Sequence, residues 1–261
     1  MIKPFSPLRF TRWVALGVLL LPLGSALGEP KQEKKDGPQV VVVAPLGVAP
    51  GDMVKVIIRG VRLDAATEVR FLEPKTSAKI LNKGKDNVPN GQDAALVGDS
   101  HIEIEVKLPP DTPNGTVPFV IVTPAGESKA HALLVERDAF VIAEKEPNNG
   151  FRQAQPVQVP QVIDGAINPP LDVDVFRFEG KEGQKIVCEV FAARYGSPLD
   201  SILTLYDADG HVLASNDDSG GSADSRLELT LPKDGVFFLS LIDAQDLGGP
   251  AFVYRLALRV K

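Results

Sequence analysis

The sequence contains one cysteine, Cys188, among its 261 residues. A single cysteine excludes an internal disulfide, so the folded parts must be held together by their hydrophobic cores. Ile186, Cys188 and Val190 lie two residues apart in a strand-like run, so they would share one face of the strand. This parity predicts a buried, inert thiol rather than a reactive one.

Concentrated positive charge is also lacking. The formal net charge is −6, and "KQEKK" at residues 31–35 is the one basic cluster after the N-terminal stretch. Binding to nucleic acid needs clustered Lys and Arg to neutralise phosphates. A nucleic-acid partner is therefore not expected.

Motifs of catalysis are missing as well. None of the three histidines stands in an HExxH motif, and no GxSxG motif is present. A triad of His211 and Asp224 with Ser222 or Ser225 has no support from their positions. The sequence predicts a protein that is not an enzyme, with a small hydrolase as the least favoured alternative.

The one long apolar run lies near the N-terminus, at residues 13–23. It follows a positively charged stretch and is about half the ~20 residues that a membrane-spanning helix needs. Small residues then favour cleavage between Gly28 and Glu29. Residues 1–28 are predicted to be a signal peptide, with an uncleaved anchor as the alternative. We expect a secreted, periplasmic or cell-surface bacterial protein without a membrane span after cleavage.

The rest of the chain has the pattern of β-strands. After a charged, aperiodic lead-in at residues 29–38, predicted to be disordered, the clearest strand is "HIEIEVKL" at 101–108. Its apolar residues alternate with polar ones, as in a strand with one buried face. Similar runs occur at 53–59, 68–72, 116–123 and 129–135. Turn sequences separate them, which is typical of an antiparallel sandwich.

The second half repeats this composition. Short apolar runs are separated by turns, and Asp209-Gly210 predicts a hairpin. The predicted fold class is all-β: two β-sandwich domains, immunoglobulin-like and then jelly-roll-like, after the signal peptide. The predicted bounds are 39–137 for the first domain, 138–143 for a linker and 144–261 for the second domain. The polar segment at 82–93 is predicted to be a mobile loop.

The first half resembles the TIG-type immunoglobulin-like family over about residues 39–136. The matching stretches are "VVVAPLGVAPGDMVKVIIRGVRL" and "IEIEVKLPPDTPNGTVPFVIVTPAGES". The resemblance implies a binding or spacer module without catalytic residues.

The second half resembles the bacterial pre-peptidase C-terminal domain. The matching stretches follow in order: "EKEPNNGFRQAQPV", "DVDVFRFEGKEGQKI", the run from 197 to 243, and "YRLAL". That family is found after secreted proteases, including as the collagen-binding domain of clostridial collagenases. Collagen itself is not the expected ligand, because only Tyr195 and Tyr206 represent the tyrosine-rich face of the collagen-binding members.

The stretch "EKEPNN" at 144–149 raises the question of a cation site. Carboxylate and amide oxygens are the ligands that Ca²⁺ prefers. In an extended segment, residues 144, 146 and 148 project to one side, and Asp172 and Asp174 in "LDVDVF" share a face in the same way. An acidic, solvated linker is the alternative interpretation.

The resemblance implies the same site, since collagen-binding members hold calcium with an acidic linker and aspartates before a strand. The implied ligands are Glu144, Glu146, Asn148, Asn149, Asp172 and Asp174.

These observations favour a monomeric, exported binding protein whose second domain holds calcium. Its partner would be an extracellular protein or polysaccharide, or a secreted protease. The alternative is a structural spacer of a cell-surface or envelope assembly with no specific ligand.

Overall fold

The computed structural model describes residues 37–73, 75–137 and 140–261. The predicted signal peptide, and the predicted lead-in up to residue 36, lie outside the described residues. So do residues 138 and 139 of the predicted linker. Within the described part, no helix is long and apolar enough to cross a membrane.

The first sandwich consists of two sheets. Sheet A has the order β1-β3-β6-β5, and sheet B has the order β2-β9-β7-β4 with β8 paired to β7. The strands of sheet A are β1 (Gln39–Ala44), β3 (Met53–Val61), β5 (Ser77–Lys85) and β6 (Ser100–Lys107). The strands of sheet B are β2 (Gly47–Val48), β4 (Glu68–Phe71), β7 (Gly115–Thr123), β8 (Gly126–Glu127) and β9 (His131–Val135).

The core of this sandwich follows the alternation seen in the sequence. Ile102 and Ile104 of β6 point inward and are at most 1 % exposed. They pack in one cluster with Phe119 and Ile121 of the opposite sheet. The strand predictions for this half are thus confirmed to within a few residues.

The segment 82–93 differs from its prediction. Residues 82–85 complete β5, which pairs with β6, with a register shift between Ile80 and Asn82. The short helix α1 (Ala94–Val97) follows, capped by the side chain of Asp93. The loop prediction was wrong for residues 82–85 because backbone pairing to β6 holds them, whereas the prediction relied on side-chain polarity.

The second sandwich also has two sheets. Sheet C has the order β10-β12-β19-β14-β17, and sheet D has the order β11-β13-β18-β15-β16. The strands of sheet C are β10 (Val141–Ala143), β12 (Gln161–Ala166), β14 (Lys185–Phe191), β17 (Arg226–Thr230) and β19 (Val253–Val260). The strands of sheet D are β11 (Gln155–Pro156), β13 (Asp174–Gly180), β15 (Ser201–Asp207), β16 (Val212–Asn216) and β18 (Gly235–Asp243).

Cys188 lies in the core of this sandwich. It is fully buried with Ile186 and Val190, as the sequence predicted. Burial raises the pKa of the Cys188 thiol to about 12, so the thiolate that reacts with electrophiles is scarce at neutral pH.

The two sandwiches are in direct contact. Val42, Leu46 and Val97 of the first belong to the same buried cluster as Phe252 and Leu256 of the second. Residues 141–143, at the end of the predicted linker, form β10 and pair with β12. The all-β class with two sandwiches is confirmed, while the bounds at which each half folds alone stay a prediction.

Candidate functional site

The structure brings four carboxylates together at one end of the second sandwich. Glu144, Glu146, Asp172 and Asp174, called the carboxylate cluster below, each have an oxygen within 4.8 Å of an oxygen of the others. Glu144 and Glu146 come from the segment before β11, Asp172 from the turn that leads into β13, and Asp174 from the start of β13. Sequence spacing predicted both pairs, and the fold places the pairs against each other.

Glu144 is anchored to β12 by its backbone and its side chain. Its amide N–H donates to the carbonyl of Asp164 at 2.8 Å, and its Oε2 accepts from the amide of Ala166 at 2.8 Å. Burial is the main cause that raises the pKa of the Glu144 carboxyl. Glu144 is therefore held against the end of β12 by its bonds to Asp164 and Ala166.

Asp174, the first residue of β13, is fully buried. Its Oδ2 accepts from the hydroxyl of Tyr254 at 2.7 Å. Burial and the nearby charge of Glu144 raise the pKa of Asp174 to about 9. Burial also raises the pKa of Tyr254 well above its usual value, so the tyrosine keeps its proton and donates it to this hydrogen bond.

Asp172 lies in the turn before β13 and is 4 % exposed. Its Oδ2 accepts from the amide of Asn168 at 2.8 Å, and its Oδ1 accepts from Asn149 Nδ2 at 2.8 Å. Asn149, predicted as a ligand, thus supports Asp172 as a hydrogen-bond donor. Its side chain links residues 144–149 to the turn before β13.

Asn148 is fully buried. Its backbone N–H donates to Glu146 Oε2 at 2.9 Å, and its carbonyl accepts from the amide of Val175 at 3.0 Å. These bonds tie the predicted motif to β13.

Two buried oxygens of this site have no hydrogen-bond partner in the part of the chain that the structure describes. They are Asn148 Oδ1 and Asp174 Oδ1. An unsatisfied buried acceptor costs about 1–3 kcal/mol, more if it is charged. A cation would satisfy such oxygens and screen the carboxylates from one another, so the residues present fit a Ca²⁺ ion, which takes six to eight oxygen ligands.

Gly165 keeps the site open. It faces Tyr254 across the β12–β19 pairing, and a Cβ at this position would collide with Glu144 Oε2 and the Tyr254 hydroxyl. Sequence reasoning missed both Gly165 and Tyr254. The stretch "YRLAL" was noted for its resemblance to the family and carried no signal for the contact of Tyr254 with Asp174.

A second group of possible ligands, Asp207, Asp209 and His211, lies in the β15–β16 hairpin. Asp207 Oδ1 accepts from the amides of Asp209 and His211, both at 3.0 Å, and its Oδ2 pairs with Lys233 Nζ at 3.1 Å. Hydrogen bonds, first that from the His211 amide, lower the pKa of Asp207 to about 2. This carboxylate stabilises the predicted hairpin.

The residues considered for a triad do not converge. Asp224 is fully buried and accepts from the amides of Ala192 and Ala193, at 2.9 and 2.7 Å. Ser225 Oγ lies 2.7 Å from Ser201 Oγ, while His211 is on the exposed hairpin. These contacts are structural.

The outer face of sheet D carries a group of aromatic side chains. Phe151, which is 39 % exposed, stacks on Phe238 with ring centroids 4.5 Å apart and an interplanar angle of 15°. It also meets Tyr206 edge-on at 5.1 Å. Phe238 and Tyr206 are neighbours across β18 and β15. Along the chain, Phe151 follows Gly150 and the segment 144–149, which carries Glu144 and Glu146 of the carboxylate cluster.

Comparison with known proteins adds a family match within the second sandwich. Residues 172–242 match the family model of the bacterial pre-peptidase C-terminal domain. This part of the chain therefore carries such a domain, as the resemblance predicted. The similarity of the first sandwich to the TIG-type family stays a prediction.

A probable subtilase-type serine protease of Deinococcus radiodurans is 41 % identical over 99 residues. The match covers 37 % of this chain and 14 % of that protease. The chain thus spans a small fraction of this relative.

Two solved structures are also similar. The pre-peptidase C-terminal domain of collagenase from Bacillus anthracis is 15 % identical, with a TM-score of 0.35, and covers 44 % of this chain and all of that one. SGBP-B of the Bacteroides ovatus mixed-linkage glucan utilization locus, in complex with a mixed-linkage heptasaccharide, is 10 % identical. Its TM-score is 0.27, with 87 % of this chain and 74 % of that chain covered.

Proposed function

We propose that this chain is a non-catalytic exported binding protein, secreted, periplasmic or at the cell surface, whose second sandwich holds calcium. The observation that carries the proposal is the carboxylate cluster together with the buried oxygens of Asn148 and Asp174, which have no hydrogen-bond partner among the described residues. Four carboxylates at this separation repel one another unless they bind a cation or take up protons. The same site would explain why the polar side chain of Asn148 is fully buried in a stretch whose other residues are exposed or half-buried.

The residues that would hold the ion are the four carboxylates and Asn148. Asn149 and Tyr254 support this set through Asp172 and Asp174. A bound Ca²⁺ ion would neutralise the charge of the carboxylates and would connect the segment 144–149 to the residues at the start of β13. The chain's own residues fix the segment 144–149 between β12 and β13, next to the aromatic group of sheet D.

The outer face of sheet D is the proposed binding face. The outer face of sheet C is not available, because Val253, Arg255 and Ala257 on that face are at most 7 % exposed. On sheet D, Phe151 presents an open ring surface supported by Phe238 and Tyr206. Aromatic rings of this kind bind apolar ring faces of sugars and apolar side chains. The proposed partner is an extracellular polysaccharide or protein, including a secreted protease.

Calcium binding is tested by calorimetric titration of chelator-treated full-length protein. We expect binding of Ca²⁺ and weak or no binding of Mg²⁺, which demands a tighter octahedral shell. Calcium at 100-fold above its Kd stabilises by about 2.7 kcal/mol, which raises the melting temperature by roughly 5–10 °C for a unit of this size. Asp174→Asn should abolish the effect.

Asp209→Asn is the matched control, because Asp209 lies in the hairpin acid group and is exposed. Its calcium response should equal that of the unchanged protein. No heat of binding, together with a melting curve unmoved by millimolar calcium, would return the segment 144–149 to the linker interpretation.

The binding face is tested by retention on immobilised extracellular polysaccharides and proteins. Phe151→Ser should reduce retention of the folded protein, and Leu72→Ser, an exposed apolar residue of the first sandwich, should not. Equal retention of both variants would exclude Phe151 from the binding face, and failure of the unchanged protein to be retained on any of these materials would favour the spacer function instead.

A further inference from the structure

Arg255 occupies a buried position between the two sandwiches. It lies on the outer face of sheet C, yet it is 1 % exposed. Its guanidinium donates to Asp164 through Nε at 2.6 Å and Nη2 at 2.7 Å. The same group donates from Nη1 to Glu136 Oε2 at 2.6 Å and from Nη2 to the carbonyl of Gly47 at 2.8 Å. One side chain of the second sandwich thus binds two groups of the first.

The first sandwich is shaped to receive this guanidinium. A Cβ on Gly47 would collide with Arg255, so glycine leaves the space that the guanidinium fills. Arg259 reaches Glu136 as well, at 3.9 Å. We call the group of Gly47, Glu136, Asp164 and Arg255 the joint.

The joint fixes the relative orientation of the two sandwiches, which the apolar contacts around it do not. Packing of Val42, Leu46 and Val97 against the second sandwich favours contact without fixing one orientation, because apolar burial is non-directional. A planar guanidinium bonded at fixed angles to three groups specifies one orientation. Loss of one partner leaves a buried charge with fewer contacts, which is strongly unfavourable.

The joint and the carboxylate cluster lie on the same two strands. Asp164 pairs with Arg255 across β12 and β19, and Gly165 pairs with Tyr254 on the next rung. Side chains on successive rungs point to opposite faces of a sheet. Arg255 therefore faces the first sandwich, while Tyr254 faces Asp174 in the cluster.

We propose that Arg255 locks the two sandwiches in one orientation and that a cation in the carboxylate cluster tightens this lock through β12 and β19. The lock rests on the contacts of Arg255 alone. The coupling rests on the proposed calcium site. Without a cation, the charges of Glu146 and Asp172 repel Glu144 and weaken its attachment to β12, the strand that carries Asp164 and pairs with β19. A bound cation removes this repulsion.

The inference is tested by a distance measurement on full-length protein. Spin labels on Lys79→Cys and Lys181→Cys, both exposed and one in each sandwich, report the distribution of distances between the sandwiches. Cys188 is buried, so we expect it to label slowly in the native state. We expect one narrow distribution with calcium and a broader one with chelator.

Arg255→Met and Glu136→Ala should both broaden the distribution in calcium. Arg226→Met is the control, since Arg226 pairs with Glu228 on the outermost strand of sheet C, and it should leave the distribution narrow. In Asp174→Asn, addition of calcium should no longer narrow the distribution. If Arg255→Met does not fold, Glu136→Ala decides, because it leaves the pair of Asp164 and Arg255 intact.

If the label-to-label distances stay narrowly distributed in every folded joint variant, Arg255 does not lock the orientation of the sandwiches. An unchanged width with and without calcium, in protein that binds calcium by calorimetry, would overturn the coupling and leave the calcium site standing. If calorimetry shows no binding, the proposed calcium site fails and the coupling fails with it. The widths of Arg255→Met and Glu136→Ala then still decide the lock.

Discussion

Single residues in the carboxylate cluster carry most of its chemistry. Asp174 combines complete burial, a hydrogen bond from Tyr254 and one oxygen without a partner among the described residues. Such a group is stable in two ways, as a protonated acid or as an ionised ligand of a cation. Which of the two exists depends on pH and on calcium.

This dependence predicts how stability changes with pH. Burial first, and then the charge of Glu144, raise the pKa of Asp174 from 3.8 to about 9. Between these values the calcium-free folded protein holds a proton that the unfolded chain has released, so the free energy of unfolding falls as pH rises. In chelator, the melting temperature should therefore fall from pH 5 to pH 9.

Calcium should remove this fall, because it binds the ionised carboxylates of the folded state. Calorimetric melts across the pH range, with calcium and with chelator, provide the measurement. Asp174→Asn should flatten the profile in chelator, and Asp209→Asn should leave it unchanged. Identical profiles with and without calcium would contradict the assignment of Asp174 to a cation site.

Gly165 gives a second prediction at this scale. Because a Cβ there would collide with Glu144 and Tyr254, Gly165→Ala should displace the Glu144 carboxylate and weaken calcium affinity at least tenfold, or about 1.4 kcal/mol. Gly150→Ala is the control, since its Cβ would meet no atom within 4 Å. Calorimetric titration of both variants tests this, and equal affinities would show that the site tolerates the extra methyl group.

At the scale of elements, β14 illustrates how side-chain parity determines the position of a reactive group. Ile186, Cys188 and Val190 point into the core, and Glu189 between them points out to Arg194. The alternation in the sequence predicted that Cys188 shares a buried face with Ile186 and Val190, and the structure confirms this.

The register of β14 predicts slow chemistry at Cys188. Burial raises the pKa of its thiol to about 12, so we expect a maleimide to label it slowly in native protein and rapidly in denaturant. Ser215→Cys on the exposed side of β16 supplies the fast native reference. Native labelling of Cys188 at the rate of that reference would mean that β14 opens readily or is shifted by one residue.

At the scale of the whole molecule, the two sandwiches raise the question of independent folding. Fragments 39–137 and 144–261 are each predicted to fold, because each has its own sheets and core. The second should melt below the full chain, since Val253, Arg255 and Ala257 lose their cover. Far-ultraviolet circular dichroism and thermal melts in calcium measure both effects.

A fragment of residues 140–261 is the matched comparison, because it retains β10, which pairs with β12. It should melt above fragment 144–261. Absence of a cooperative melt in both second-sandwich fragments would show that the bound at 137–144 divides a single folding unit.

Features that depend on neighbouring residues could be predicted before the fold was known. Alternation predicted strands such as β6 and the burial of Cys188, since side chains two apart share a face whatever the fold. The spacing of Glu144 with Glu146, and of Asp172 with Asp174, predicted two pairs of acids in the same way. Residues 82–85 were not predicted as a strand because their pairing with β6 forms it, and the polar side chains of the segment give no sign of that pairing.

Which of these groups come into contact depends on the fold. Tyr254 contacts Asp174 from 80 residues away, and Arg255 contacts Glu136 from 119 residues away. Such contacts depend on strand order and register across whole sheets, which local spacing does not encode. The sequence could therefore name the acids of the candidate site, but the glycine that leaves it room, the tyrosine that orients it and the arginine of the joint came from the fold.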